Sequence, residues 1–337
     1  MSTLGISPTA LLSPGMVRSA VLPVVRQQVS ALEPTLARIC SYHLGFVDER
    51  GEPSSTGGKL TRAALMMAAA EGVGLRAQDV RSQAAALELL HNSTLIHDDI
   101  IDADELRRGR PAAWKVFGTS LAILAGDALQ GLALQMVVDD PGPGRAEISS
   151  AFAEATRLVL AGQSREFTVR LGTGADVVVY DRIVEEKTSA LLECALVTPA
   201  LRAGKPEHVL AALRGAGRHL GLAFQIFNDV EDIWGDPAVT GKPVRGDIAR
   251  RNPSFPVLAG IAASERLRSL WQADDTSVAH LQEIADLVEE SGGRRTALQV
   301  SRDHHDTALR HLGRAELTPA AHAELTVLFD RIINRTA

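Results

Sequence analysis

The chain has 337 residues, 45% of them hydrophobic and 4% aromatic, with 35 Lys and Arg against 41 Asp and Glu for a formal net charge of −6. That balance leaves no basic stripe and argues against nucleic acid as a partner. The two cysteines, Cys40 and Cys194, sit in apolar surroundings and read as buried thiols of a reducing compartment. No uninterrupted apolar run is long enough to cross a bilayer, and the first residues lack the basic segment and apolar stretch of a secretory leader. The expectation is a cytoplasmic protein with no stable membrane insertion.

Richness in Ala, Leu, Arg and Glu, with no sustained apolar/polar alternation, predicts helices rather than strands. Residues 1–14 carry Ser, Thr, Gly and Pro without periodicity and read as a mobile tail. Apolar spacing at Val17, Ala20, Val21, Val24, Val25, Val29 and Leu32 predicts helix from about Met16 to Phe46, kinked or broken at Pro23 and Pro34. A polar loop over 48–58 ends at Gly57-Gly58, and a helix begins near Lys59. Further helices are predicted over 78–101, 115–138, 144–170, 179–203, 206–235, 254–264, 277–291, 294–313 and 318–334. Gly109-Arg110-Pro111, Asp140-Pro141-Gly142 and the 236–252 stretch punctuate them. No Pro/Gly/Ser linker interrupts the pattern, so residues 15–337 are expected to form one domain. His304 and His305 are adjacent and point to different helix faces, which favours a solvated helix over a ligand pair.

Two acidic segments carry the chemistry. Residues 97–108 read His-Asp-Asp-Ile-Ile-Asp-Ala-Asp-Glu-Leu-Arg-Arg. Asp98 and Asp102 stack on one helix face with Asp99 beside them. Three converging carboxylates repel unless a cation lies among them, and oxygen-only ligands favour Mg²⁺ shared with a substrate phosphate. Arg107 and Arg108 follow as fork-shaped phosphate donors. Residues 224–236 repeat the theme, with Gln225, Asn228 or Asp229, and Asp232 on one face and Lys242 in the turn beyond. Either motif alone is as well explained by a solvated acidic helix face. Two such helices facing each other across a cavity would hold a metal–diphosphate cluster.

The ordered series of motifs resembles the trans (all-E) isoprenyl diphosphate synthases, the polyprenyl synthetase family, from about Gly57 to Pro256. The series is Gly57-Gly58-Lys59-Leu60-Thr61-Arg62, Glu88-Leu89-Leu90-His91, Leu95 to Asp102, Arg107 to Pro111, Ala125 to Leu129, Gly162-Gln163, Lys187-Thr188, Phe224-Gln225, the second acidic segment, Gly241-Lys242 and Asp247. The resemblance implies an all-α bundle around a deep central cavity, and a homodimer. It implies condensation of isopentenyl diphosphate with an allylic prenyl diphosphate. It assigns Asp98, Asp99 and Asp102 to two Mg²⁺ ions and Asp229 with Asp232 to a third, Mn²⁺ being a substitute. Arg107, Lys187, Thr188, Gln225 and Lys242 belong with the allylic diphosphate. Gly58, Lys59, Arg62, His91 and Arg108 belong with isopentenyl diphosphate. Read singly, Lys59 and Arg62 are a solvated first turn, His91 a core histidine, and Thr188 a hydroxyl bonded to its own helix.

Three departures bear on activity. Asn228 stands where the second motif usually opens with Asp, Asn252 where lysine is usual, with Arg250 and Arg251 beside it, and Glu166 where Asp is common. Asn228, Asp232 and Asp236 also have the offsets of a class I terpene cyclase motif. A cyclase has no second diphosphate for Lys59, Arg62, His91 and Arg108 to hold. An idle subunit of a heteromeric synthase is the third reading, against which the intact first motif counts. In this family product length follows what closes the cavity below the first motif. Five residues before Asp98, just over one turn of roughly 5.4 Å, stands Ser93, with Thr94 next to it. Both are small, so geranylgeranyl diphosphate or a longer product is expected unless Leu89, Leu90 or Met136 forms the floor.

Overall fold

The computed structural model describes residues 12–55, 57–170, 176–236, 244–273 and 275–333. The expected tail lies almost wholly outside the described residues, as does Lys242. Val17, Val21, Val25 and Val29 line the buried side of α1 (Pro14–Ser30), which contains Pro23. Pro34 opens α2 (Pro34–His43), where a missing N–H is harmless. There the Glu33 carboxylate accepts from the Thr35 and Leu36 N–H groups at 2.9 and 3.1 Å. Helix α3 (Thr61–Gly72) starts after Leu60, whose left-handed φ of 55° keeps Lys59 out of the helix. Helix α4 (Arg81–Ile101) follows. Gly118, at φ 83° and ψ 154°, divides the expected 115–138 helix into α5 (Ala113–Phe117) and α6 (Thr119–Val138).

Beyond α7 (Arg145–Arg170), the expected 179–203 helix is α8 (Val177–Val184), a π-helical turn over Glu185–Ser189, and α9 (Ala190–Arg202). Then come α10 (Glu207–Trp234), α11 (Gly246–Ala249), α12 (Phe255–Ala263), α13 (Glu265–Trp271), α14 (Val278–Glu290), α15 (Gly293–Leu312) and α16 (Pro319–Ile333). Among the described residues the paired strands are only β1 (Leu106–Arg107) and β2 (Arg110–Pro111). The protein is all-α.

Packing groups the chain into two compact units, Met1–Ala153 with Cys194–Arg214 and Leu312–Arg331, and Glu154–Glu193 with Gly215–His311 and Ile332–Ala337. In the first unit α4 packs along α6, and small side chains make the approach close. Ala84, Ala85 and Ala86 of α4 and Ala122, Ala125 and Ala133 of α6 are fully buried. A Cβ on Gly126 would stand 2.2 Å from His97 Nε2, so that position excludes any side chain. With mean hydropathy 1.6, α6 is long and apolar enough to cross a membrane by length and composition, and 39% of that span is buried.

In the second unit Tyr180, Val184, Leu222, Ile226, Val230, Phe255, Leu258 and Ala297 form one core cluster. His304 is not a solvated side chain as expected. His219 Nδ1 and His304 Nδ1 lie 2.9 Å apart. The 5.1 Å centroid separation is that of rings meeting nitrogen to nitrogen, one donating and the other accepting. His311 stacks on His219 at 5.5 Å. Burial, then His304 and His311, push the His219 imidazole down to about 4 from 6.5. Between those values the unfolded chain binds a proton that the folded chain refuses, so stability falls as pH drops through the window. His219→Gln is expected to flatten that fall, measured by urea denaturation at pH 7.5 and 5, by about 1 kcal/mol after solvent screening. Equal pH dependence in the two proteins would contradict this origin.

Candidate functional site

In the first unit the acidic helix end and a tight hairpin hold each other. Asp102 caps α4 with its N–H on the Asp98 carbonyl at 2.8 Å, so Asp98 and Asp102 are one turn apart as expected. Both are half-buried, whereas Asp99 is 1% exposed. The Asp99 Oδ1 accepts from Arg107 Nε at 2.8 Å and also from Nη2. Asp99, expected to ligate metal, therefore serves first as the counter-charge of Arg107. Arg108 and Gly109 both have positive φ, 54° and 73°, as a two-residue hairpin turn between β1 and β2 requires. The strained αL position at Arg108 aims its guanidinium back at α4 and α2. It donates to Asn92 Oδ1 at 3.1 Å and to the His43 carbonyl at 3.3 Å. Arg110, across the hairpin from Arg107, is structural, donating to the carbonyls of Tyr42 and Val47.

Around Arg108 lies a cluster of cations with few anions. A Cβ on Gly58 would stand 3.0 Å from Arg108 Nη2, so glycine lets the loop lie against the guanidinium. Glu88 is 4% exposed, and its Oε1 accepts the Ala63 N–H at 3.0 Å, capping α3 in place of a local side chain. Burial raises its carboxyl, while the Ala63 N–H, Arg62 and Arg108 oppose the rise. Arg62 Nε is buried with no hydrogen-bond partner among the described residues. Lys59 is exposed. Burial, then Arg62 and Arg108, hold the His91 imidazole well below its ordinary value, so it is neutral. His43 is pushed down to about 3 by burial, then by Arg108 and Arg107. The set can bind an anion through fixed guanidinium and N–H donors without metal. Asn92 and His43 were not found in the sequence, where their partner Arg108 lies 16 and 65 positions away.

The second unit holds the other motif. Gly162 brings α7 against the π-helical turn, since a Cβ there would stand 2.7 Å from Lys187 N. Gly217 and Gly221 do the same for α10, against Glu193 Cα at 2.7 Å and Ser189 Cα at 2.6 Å. These close approaches fix Lys187 and Thr188 on the extra-wide turn, a feature common at functional sites. Lys187 Nζ donates to Glu166 Oε2, and Thr188 Oγ1 donates to Gln225 Oε1 at 3.3 Å. Lys187, Thr188, Gln225, Asp229 and Asn252 line one cleft within this unit.

Asp229 is 3% exposed and surrounded by donors. Its Oδ2 accepts from Tyr180 Oη at 2.7 Å and from Phe255 N at 2.9 Å, and its Oδ1 from Gln225 Nε2 at 2.9 Å. Burial and then Asp247 raise its carboxyl. Oδ2 is filled, so a metal would have to share Oδ1 with Gln225. Asn228 Oδ1 is buried with no hydrogen-bond partner among the described residues. Asp232 accepts the Asp247 N–H through Oδ2 at 2.9 Å and the Arg245 N–H through its carbonyl at 2.5 Å. Of the two arginines beside the missing lysine, Arg250 pairs with Asp247 at 3.1 Å. Arg251 is bound to the Trp271, Ala273 and Asp275 carbonyls and has left the cleft. Asn252 Nδ2 donates to Asp247 Oδ1 at 3.1 Å.

Among the described residues no three His, Cys, Asp or Glu side chains converge into a ready metal cage. Oxygen-only, partly exposed donors nevertheless fit an ion that completes its shell with water and substrate oxygens.

Comparison with known proteins matches this arrangement. Residues 52–288 match the family described as polyprenyl synthetase. The (2E,6E)-farnesyl diphosphate synthase of Mycobacterium tuberculosis (strain ATCC 25618 / H37Rv) is 36% identical over 332 residues, covering 96% of this chain and 92% of that protein. The geranylgeranyl diphosphate synthase of the same strain is also 36% identical, over 309 residues, covering 88% and 87%. The crystal structure of a polyprenyl synthetase from Streptomyces coelicolor A3(2) superposes with a TM-score of 0.90 at 33% identity, covering 96% of this chain and all of that one.

Proposed function

The chain belongs to the polyprenyl synthetase family of trans-prenyl diphosphate synthases, and we propose that it condenses isopentenyl diphosphate head to tail with an allylic diphosphate. The observation that carries this reading is the metal-free cation cluster of the first unit. Gly58, Arg62, His91 and Arg108 are braced by Glu88 and Asn92, and with Lys59 at its edge the cluster suits a second diphosphate. A cyclase has no such anion to bind.

The hard step is departure of diphosphate from the allylic carbon, which develops a large negative charge on the leaving group. Preorganised positive charge lowers that barrier most effectively. The family uses divalent metal for diphosphate binding. In this reading the metal is Mg²⁺, proposed as three ions; Asp98, Asp99 and Asp102 would hold it in the first unit, and Asp229 with Asp232 in the second. It supplies Lewis-acid stabilisation of the departing charge. By family resemblance the residues for the allylic diphosphate are Arg107, fixed in the first unit by Asp99, and Lys187, presented in the second unit by the π-helical turn, with Lys242 in the same role. Lys187 leaves Glu166 to meet it. Thr188 lines the reacting carbons, and Gln225, which accepts from its hydroxyl, lies beside the allylic diphosphate. His91, neutral, donates an N–H to the second diphosphate.

For product length the support is Ser93 and Thr94. Their hydroxyls turn back onto the Leu90 and His91 carbonyls at 2.7 and 2.8 Å, so neither projects as a floor. This supports a product of geranylgeranyl length or longer, unless Leu89, Leu90 or Met136 forms the floor. Relatives at equal identity make farnesyl and geranylgeranyl diphosphate, so their names do not decide the length.

A homodimer is proposed from α6. Leu121, Ile123, Leu124 and Val138 are 37%, 42%, 52% and 54% exposed, and a second copy of this chain would cover them. Sedimentation equilibrium at micromolar concentration is expected to give twice the chain mass, and a monomer would exclude the dimer.

The function is tested by incubating the purified protein with Mg²⁺ and farnesyl diphosphate, with and without isopentenyl diphosphate, and extracting before and after phosphatase treatment. The expected result is a longer prenyl alcohol that appears only with isopentenyl diphosphate and only after phosphatase. A hydrocarbon formed without isopentenyl diphosphate would make the protein a cyclase. Inactivity with farnesyl, geranyl and dimethylallyl primers alike would make it an idle subunit.

A further inference from the structure

Tyr180 belongs to none of the motifs read from the sequence, yet it stands at one end of a hydrogen-bonded chain that reaches the cleft of the second unit. Its ring is 8% exposed, packed edge-on against Phe255 with centroids 5.5 Å apart, and its hydroxyl is 2.7 Å from Asp229 Oδ2. From Asp229 the chain continues through Gln225 Nε2 at 2.9 Å, and from Gln225 Oε1 to the Thr188 hydroxyl at 3.3 Å. We propose that Tyr180 is a positioning residue for the reaction: its hydroxyl fixes the Asp229 carboxylate, which orients the Gln225 amide and, through it, the Thr188 hydroxyl. The proposal rests on the reading of the protein as a prenyl diphosphate synthase.

Asp229 Oδ2 already accepts from Tyr180 and Phe255, and its Oδ1 meets the NH₂ group of Gln225. The carbonyl oxygen of that amide is then turned to Thr188, whose hydroxyl must donate. Once its proton is given to Gln225, the lone pairs of Thr188 Oγ1 remain for the cleft, where positive charge develops on the allylic carbons. Reversing the amide would turn donors toward that charge instead. The amide therefore depends on an immobile acceptor at Asp229. Asp229 is held from three places: Tyr180 on α8, Gln225 one turn earlier on α10, and the first N–H of α12 at Phe255. Only the Tyr180 hydroxyl can be removed without disturbing backbone or the amide itself.

Tyr180→Phe keeps the ring and its contact with Phe255 and deletes the donor alone. Steady-state turnover of Tyr180→Phe, Asp229→Asn and the double variant, each below its own melting transition, separates positioning from mere packing. For Tyr180→Phe the expected result is kcat lowered about 10- to 100-fold, with the KM for isopentenyl diphosphate, bound in the other unit, within about twofold of the parent. Because the tyrosine acts through the carboxylate, adding Tyr180→Phe to Asp229→Asn is expected to change kcat by less than about twofold. A Tyr180→Phe protein with unchanged kcat, losses that multiply in the double variant, or an equal loss expressed in the KM for isopentenyl diphosphate would each overturn the assignment. Absence of turnover in the parent protein would instead remove the underlying reading, and the proposal with it.

Discussion

A carboxylate removed from water has to be met by donors, and a guanidinium by acceptors, or its burial destabilises the fold. Both acidic motifs are shaped by that requirement. Each has acids or an amide at the first, second and fifth positions: Asp98, Asp99 and Asp102, then Asn228, Asp229 and Asp232. In each, the second position is the buried one, at 1% and 3% exposure. Asp99 holds Arg107 in place, and Asp229 ties Tyr180, Gln225 and the start of α12 together. The flanking positions are left nearer the surface. The same alternation of anchor and exposed group arises twice, in units with different surroundings.

That division changes the meaning of Asn228. It corresponds in spacing to Asp98, not to the anchor, so replacing a charge by an amide there leaves the hydrogen-bonded scaffold of Asp229 intact. Asn228 Oδ1, buried with no hydrogen-bond partner among the described residues, can accept but brings no charge. The weakened motif is thus a loss at the place where charge is offered, not a collapse of the second unit's cleft. Arg250 remains beside Asp247 where lysine is missing, but Arg251 does not, because three carbonyls of the 271–275 segment hold it.

Periodicity made much of this protein legible. The Val17, Val21, Val25, Val29 stripe, the helix limits near 145, 207, 278 and 319, and the buried thiols all follow from apolar spacing and caps. What spacing conceals is single-residue backbone geometry. Apolar spacing does not announce the left-handed backbone of Leu60, the positive φ of Arg108 and Gly118, or the π-helical turn at Glu185–Ser189. The functional motifs were visible because several charged residues recur at helical offsets. Asn92, His43 and Tyr180 were not, because the partners that show their roles lie 16, 65 and 49 positions away in the sequence. His304 failed for the same reason, its partner His219 being 85 positions away.

In the first motif the half-buried Asp98 and Asp102 are assigned to the departing diphosphate, while Asp99 serves the protein. The most direct measurement is single-turnover ionisation by Asp102→Ala with saturating Mg²⁺ and both substrates. Asp102 is half-buried at the helix end, so the variant is expected to keep the melting temperature of the parent and lose at least about 100-fold in rate. An Asp102→Ala protein that ionises the allylic substrate at the parental rate would contradict the account.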